Sequence, residues 1–248
     1  MTRERLDKLL VDRGHAASRE RARAMIMARA VRVGDRIVDK AGTLVDEGAA
    51  IAVSGGDLPY VSRGGVKLAG ALDQLGIDVA GRLVLDVGAS TGGFTDCVLQ
   101  RGARAVTAVD VGYGQLAWSL RQDPRVTLLE RCNVRHLEPE QLPARPDFAV
   151  VDASFISLTL ILPRIAALVA PGSVIIALVK PQFEVGKGQV GRGGVVRDAS
   201  LHEAAVARVR DCAAALGLAL VGECPSPILG PKGNREFFLA LRTQPAGG

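Results

Sequence analysis

Apolar residues in the central part of the chain are grouped in short runs. Three of these runs each lead into one ionisable residue: 83–85 into Asp86, 148–151 into Asp152, and 174–179 into Lys180. Short runs rich in Val, Ile and Leu are typical of strands in a parallel sheet covered on both faces. In such a sheet, ligands bind beyond the carboxyl ends of the strands. We therefore expect the three ionisable residues to share one crevice.

Strand-like and helix-like patterns alternate from about residue 61 to residue 241. This alternation predicts an α/β fold with a doubly wound, Rossmann-like sheet. The strands are expected near residues 83–86, 105–110, 147–152, 174–180, 218–223 and 236–241.

The first part of the chain has a pattern of its own. Leu6, Leu9 and Leu10 recur at helical spacing, and Ser18 is positioned to begin a second helix. Residues 31–38 are typical of a hairpin around a tight Gly-Asp turn. Together these elements predict a small α+β domain.

A turn-rich segment follows this small unit and ends near Tyr60. The chain is therefore expected to divide into three parts: a small domain over 1–53, a linker over 54–60, and a large domain over 61–248.

Size and composition favour a soluble globular protein. The chain has 248 residues, of which 48% are hydrophobic and 23% charged. No secretory signal is visible at the N-terminus, and prolines, an arginine and a glycine interrupt the most hydrophobic stretch, 158–179. The four cysteines form no C-x-x-C pair, so no metal site and no disulfide framework is expected. We expect a cytoplasmic protein.

The charge distribution points to a polyanionic partner. The formal net charge is +5, and residues 1–32 contain nine Lys/Arg against four acids. Arg19 and Arg23 share one helix face and could meet phosphates. A solvated helix surface is the alternative explanation.

A glycine-rich segment follows the first strand of the large domain. It runs from Asp86 through Gly88, Ser90 and Gly92 to Phe94, and Asp110 ends the next strand. An acid at that place can accept hydrogen bonds from both ribose hydroxyls of an adenosine cofactor. Ser90 departs from the G-x-G-x-x-G pattern, which favours S-adenosylmethionine over NAD. The alternative is a tight turn with Asp110 as a simple strand terminator.

Two further ionisable residues accompany Asp152 and Lys180. Lys67 precedes the first helix of the large domain, and Glu236 begins its last strand. An unperturbed lysine is a poor base because its pKa is near 10.4, and burial or a neighbouring cation lowers that value. Singly, each residue is more often a surface charge or a strand-end salt bridge. Together they predict two cations and two anions in one crevice.

The order Lys67, Asp152, Lys180, Glu236 around Asp-Val-Gly-Ala-Ser-Thr-Gly-Gly-Phe-Thr resembles the Lys-Asp-Lys-Glu tetrad of FtsJ-like ribose 2′-O-methyltransferases. Residues 1–53 resemble the RNA-binding domain named after ribosomal small-subunit protein four. The combination is similar to the TlyA (haemolysin A-like) family of rRNA cytidine 2′-O-methyltransferases. The resemblance covers nearly the whole chain.

The resemblance implies S-adenosylmethionine-dependent methylation of cytidine in ribosomal RNA. Lys180 would deprotonate the 2′-hydroxyl, Asp152 would orient Lys180, and Lys67 and Glu236 would complete the network. The cofactor would be held by Asp86, Gly88, Ser90, Gly92, Gly93, Phe94, Asp110, Asn133 and Asp152. RNA would be met by Arg3, Arg5, Arg19, Arg23, Arg63, Lys187 and Arg192, the last two in a basic loop after Lys180. The partner would be ribosomal RNA or a ribosomal subunit, and the protein a monomer that uses no metal and binds no membrane.

Two other functions fit parts of the sequence. A non-catalytic RNA-binding factor for ribosome assembly could keep the same fold, although the complete tetrad speaks against this. A membrane-lytic haemolysin would need a membrane-spanning element, which the sequence does not show.

Overall fold

The structure is a computed structural model that describes residues 3–16, 18–27, 30–53, 59–191 and 193–245. Its strands are β1 (Arg3–Arg5), β2 (Val31–Val33), β3 (Arg36–Ile37), β4 (Leu44–Asp46), β5 (Ile51–Val53), β6 (Leu83–Val87), β7 (Ala105–Val109), β8 (Val126–Leu129), β9 (Phe148–Val151), β10 (Val174–Val179), β11 (Ala219–Pro225) and β12 (Phe237–Arg242). Its α-helices are α1 (Leu6–Asp12), α2 (Arg19–Met27), α3 (Arg63–Leu75), α4 (Gly93–Gln100), α5 (Trp118–Arg121), α6 (Leu162–Leu168), α7 (Pro181–Glu184) and α8 (Ala199–Ala215). Among the described helices, none combines the length and the apolar character needed to cross a membrane.

A seven-stranded sheet forms the centre of the large domain, in the order β11-β12-β10-β9-β6-β7-β8. β12 runs antiparallel to both of its neighbours, and the pairs from β10 to β8 are parallel. The edge strand β8 was not among the sequence expectations. It has only four residues, none of them fully buried, so it lacks a buried apolar run.

Side chains of successive strand residues point to opposite faces of this sheet and build two apolar cores. Val84 and Phe148 belong to the core beneath α3 and α4. Leu85 and Ala149 belong to the opposite core, which also holds apolar residues of α6 and α8. Helices therefore cover both faces, and the predicted doubly wound α/β fold is confirmed.

The reversed direction of β12 determines what lies at the carboxyl edge of the parallel strands. Val179 at the end of β10 is paired with Phe237 at the start of β12. Lys180 therefore leaves the sheet beside the point where Glu236 enters it.

The small N-terminal unit has a separate core. Leu6 and Leu10 of α1 pack against Ala22 and Ile26 of α2 and against Val31 of β2. A three-stranded sheet, β3-β2-β5, contains the predicted hairpin, and the pair β1-β4 was not predicted. The separate core supports the proposed division into two domains.

Helix α2 of the small unit is hydrogen-bonded to the large domain and to the last residue of the predicted linker. Glu20 accepts a hydrogen bond from the backbone N–H of Trp118. Arg21 Nη1 donates to the carbonyl oxygen of Tyr60 at 2.6 Å. Most of the predicted linker, residues 54–58, lies outside the described residues.

Phe238 offers a test of the core assignment. It is completely buried in β12, with its ring centroid 6.1 Å from that of Phe94. We expect Phe238→Ala to lower the free energy of unfolding by about 3–5 kcal/mol because it leaves a cavity in a packed core. Denaturant unfolding measures this loss.

Phe155→Ala is the matched control, since 91% of Phe155 is exposed. This variant should change the free energy of unfolding by less than about 0.5 kcal/mol. Equal losses in the two variants would contradict the assignment.

Candidate active site

Two ion pairs, each with a buried lysine, lie at the carboxyl edge of the central sheet. Lys180 Nζ is 2.5 Å from Asp152 Oδ1, and Lys67 Nζ is 2.6 Å from Glu236 Oε2. Only 8% of the Lys180 side chain and 9% of the Lys67 side chain are exposed. Charges removed from water to this degree are strongly unfavourable unless they are paired. The four residues therefore stabilise one another.

Backbone geometry brings these four residues together. Asp152 directly follows β9, Lys180 directly follows β10, and Glu236 directly precedes the reversed strand β12. Lys67 does not precede the first helix of the large domain, as the sequence suggested, but lies in the second turn of that helix, α3. The N-cap residue of α3, Ser62, accepts a hydrogen bond from the Gly64 N–H at 3.3 Å, so the helix begins earlier than expected. The structure thus places all four residues of the predicted tetrad at one edge of the sheet.

The ion pairs form the wall between two cavities. Lys67 and Asp152 line a cavity of about 340 Å³. Lys180 and Glu236 line another of about 300 Å³. Each ion pair therefore has one member in each cavity. Lys180 also donates to Ser154 Oγ at 2.8 Å, which fixes the position of its amine.

A third cavity, of about 410 Å³, adjoins Asp152 on the side of β6 and β7. Five of the residues predicted to bind a cofactor line it: Gly88, Ser90, Asp110, Asn133 and Asp152. We call this space the cofactor cavity.

Gly88 allows two chain segments to meet at this cavity. Its φ of +83° lies in the left-handed region, and a Cβ atom there would lie 2.7 Å from the carbonyl oxygen of Asp152. Only glycine fits so close to the next strand. Across the cavity, Asp110 accepts hydrogen bonds from Ser90 N at 2.7 Å and Gly112 N at 2.6 Å.

Asp86 lies completely buried beneath the glycine loop. β6 continues through Asp86 to Val87, so the strand does not end at the acid as the sequence suggested. Oδ2 accepts a hydrogen bond from Thr95 Oγ1 at 2.6 Å, and Oδ1 has no hydrogen-bond partner among the described residues. Burial raises the pKa of Asp86 to about 7; the Thr95 hydrogen bond opposes this, and the charges of Asp152 and Asp110 add to it.

The other residues predicted for the cofactor lie outside the cavity lining. Gly92 caps α4 in a left-handed conformation, and Gly93 begins that helix against Ser62. Phe94 is 3% exposed and packs in the core against Phe238. These residues support the glycine-rich loop without lining the cavity.

The residues predicted to bind RNA are divided between two regions. Arg5, Arg19 and Arg23 meet around Asp7 in the small unit, and Arg3 is exposed at the start of β1. In the large domain, Arg63 lines the 340 Å³ cavity and donates to the carbonyl oxygen of Leu229 at 2.6 Å.

Two residues of the predicted basic loop are described incompletely or not at all. Lys187 lies in a short 3₁₀ turn, and its side chain is not described. Arg192 lies outside the described residues.

The structure adds residues that the sequence did not point to as site residues. Ala24 and Met27 of α2 line the 340 Å³ cavity, so the small unit borders the site. Thr95 and Ser154 are the hydrogen-bond partners of Asp86 and Lys180. The position of Ser154, two residues after Asp152, was an available signal, whereas the approach of α2 depends on tertiary packing alone.

The sequence is similar to known proteins over both the small and the large domain. Residues 60–243 match the FtsJ-like methyltransferase family, and residues 4–51 match the S4 domain. The chain is 52% identical to "16S/23S rRNA (cytidine-2′-O)-methyltransferase TlyA" of Mycobacterium tuberculosis, over 98% of this chain and 91% of the relative. It is 49% identical to "Putative rRNA methyltransferase YqxC" of Bacillus subtilis, over 96% of this chain and 85% of the relative.

A solved structure has the same architecture. The "putative hemolysin" from Streptococcus thermophilus superposes with a TM-score of 0.77 at 44% identity, covering 98% of this chain and 90% of the other. The matched regions account for both parts of the molecule. The chain belongs to the FtsJ-like methyltransferase family and carries an S4 domain before its methyltransferase domain.

Proposed function

We propose that this protein transfers a methyl group from S-adenosylmethionine to the ribose 2′-hydroxyl of a cytidine in ribosomal RNA. The two ion pairs beside the cofactor cavity are the observation that carries the proposal. The activity for which the Mycobacterium tuberculosis relative is named, at 52% identity, supports the choice of substrate.

The charges around the cofactor cavity suit a cationic ligand. Asp110 and Asp152 line the cavity, and Asp86 lies close enough for both charges to raise its pKa. Three carboxylates in such proximity repel one another unless a positive group comes between them. S-adenosylmethionine supplies, when bound, a methyl group on a positively charged sulfur. We therefore infer that Asp110, Asn133 and Asp152 hold it, with Asp86 beneath.

Lys180 is the proposed base. Asp152 and Ser154 hold its amine at the border of two cavities. In its neutral form Lys180 Nζ would take the proton of the 2′-hydroxyl while the hydroxyl oxygen bonds to the methyl carbon. The bond from that carbon to the sulfonium sulfur would break, and a neutral thioether would leave. Lys67 and Glu236 neutralise each other, so Asp152 remains the counter-charge of Lys180. Positioning in a site shielded from water then supplies much of the rate.

The small domain is the proposed RNA-binding module. It matches the S4 domain, and its helix α2 lines the cavity that Lys67 and Asp152 share. RNA held on this domain would therefore lie next to the reacting residues. We propose a cytoplasmic protein that acts as a monomer on ribosomal RNA or on a ribosomal subunit.

Lys180→Met tests the proposed base. We expect methyl transfer from tritiated S-adenosylmethionine to ribosomal subunits to fall by about 100-fold to 10,000-fold, the usual contribution of a general base. Binding of the cofactor should persist, because Lys180 does not line the cofactor cavity and its partner Asp152, which does, keeps its carboxylate. Mass spectrometry of the nucleosides should show 2′-O-methylcytidine as the native product.

Arg82→Met is the control for this variant. It removes an exposed cation at the start of β6, where Arg82 pairs with Asp147 at the opposite edge of the sheet. Its methylation rate should equal that of the native protein. Undiminished methylation by Lys180→Met would overturn the proposed mechanism.

Asp86→Asn tests the electrostatics of the cofactor cavity. With a pKa of about 7, Asp86 is protonated in the free protein at pH 6, and a bound cation favours its ionised form. Cofactor binding therefore releases a proton below pH 7. We expect native affinity, measured by calorimetry, to rise from pH 6 to pH 7 by up to about tenfold and then to level off. The Asp86→Asn variant should bind the cofactor more weakly, and its affinity should lack this rise with pH.

Stability of the free protein gives an independent readout. Between about pH 4 and pH 7, Asp86 is protonated in the folded chain and ionised in the unfolded chain. The unfolded state then binds fewer protons, so native stability falls as the pH rises through this window. Asp86→Asn should gain stability relative to the native protein over the same range. Parallel curves of stability against pH for the two proteins would contradict the assignment of Asp86 as a buried acid that is protonated in the folded chain.

A further inference from the structure

A cluster of one acid and three arginines lies on the small domain, and none of its members lines the three cavities described above. Its acid, Asp7, is in the first turn of α1 and is completely buried. Its arginines come from two other places in the sequence, the end of β1 (Arg5) and helix α2 (Arg19 and Arg23).

Asp7 is bonded to all three guanidinium groups. Arg5 donates twice, from Nε to Oδ1 at 3.0 Å and from Nη2 to Oδ2 at 3.1 Å. Arg19 Nη2 and Arg23 Nε each donate to Oδ2 at 3.1 Å. Hydrogen bonds from Arg5, Arg23 and Arg19 hold the pKa of Asp7 well below its usual range despite burial. Asp7 is therefore ionised in the folded protein at neutral pH.

The cluster needs this acid to keep its shape. Arg19 and Arg23 are four residues apart on one helix, where like charges repel. A single carboxylate between them neutralises one of three positive charges and leaves two. It also fixes the planes of the guanidinium groups, which a free arginine side chain would not keep.

The three arginines still face outward. Their side chains are 44%, 50% and 53% exposed for Arg5, Arg19 and Arg23, whereas Asp7 is 0% exposed. Each guanidinium has five N–H donors, and Asp7 takes two from Arg5 and one from each of the others. Among the described residues most of these donors have no other acceptor, so they remain for a ligand. Arginine forks of this kind match the oxygens of a phosphate.

We propose that Asp7 is a positioning residue that organises Arg5, Arg19 and Arg23 into a preformed site for phosphodiester groups of the RNA substrate. This rests on the proposed function, because it takes RNA as the ligand. It has an unusual consequence: removing a negative charge from the RNA-binding surface weakens RNA binding.

Asp7→Asn tests this directly in the full chain. The probe is a fluorescein-labelled RNA hairpin, followed by fluorescence anisotropy between about 50 and 200 mM salt. We expect the affinity to fall about fivefold or more and the slope of log K against log salt to lose about one to two units, as for one or two lost phosphate contacts. The KM for ribosomal subunits should rise while kcat and cofactor affinity stay unchanged.

Asp12→Asn is the matched control. Asp12 lies on the same helix, its side chain is 53% exposed, and its substitution changes the net charge by the same amount. This variant should bind the hairpin as tightly as the native protein or slightly more tightly. If Asp7→Asn did the same, the surface would act through net charge alone and the proposal would be wrong.

A second variant decides the matter if Asp7→Asn fails to fold. Arg19→Lys with Arg23→Lys keeps Asp7, both charges and the exposed positions, but a lysine lacks the planar fork. We expect weaker hairpin binding and a higher KM with an unchanged circular dichroism spectrum. Arg125→Lys, which alters the exposed pair with Asp123 on the large domain, is its control. Native hairpin affinity in the double variant would overturn the proposal.

Failure of the proposal differs from failure of the proposed function. If the native protein neither binds the hairpin nor methylates ribosomal subunits, the proposed function is wrong. If the native protein methylates subunits and the Asp7 and double arginine variants bind RNA as it does, only the role of Asp7 is wrong.

Discussion

The pairing of opposite charges at the carboxyl edge of the sheet is the constraint on which the site depends. Lys67, Lys180 and Glu236 are almost completely buried, and each has its counter-charge within 2.6 Å. A parallel last strand would have put Glu236 at the opposite edge of the sheet. The antiparallel pairing of β12 with β10 therefore provides the counter-charge that allows Lys67 to be buried beside the Lys180–Asp152 pair.

Much of this site could be predicted because its residues interrupt strong local patterns. Asp152 and Lys180 stand where apolar runs end, and strand ends of one sheet meet in space. Lys67 and Glu236 carried weaker signals, since a charge on a helix or at a strand end is usually a surface residue. Their importance was inferred from all four charges taken together and from the family resemblance that involved all four.

Other features depend on contacts between distant segments, and no local pattern predicts them. β1 is Arg-Glu-Arg, and it is a strand only because β4 pairs with it. Asp7 looks like an ordinary acid at the start of a helix until α2 brings two arginines to it. Asp86 shows the reverse case: its position was expected, but its complete burial and raised pKa follow from the packing above it.

The contact between Glu20 and the backbone of Trp118 also has a practical consequence. Trp118 is the single tryptophan of the chain, and 63% of it is exposed. It lies where helix α2 of the small domain meets the methyltransferase domain. Its fluorescence therefore comes from one known place, and the native protein carries an intrinsic optical reporter of how its two domains meet.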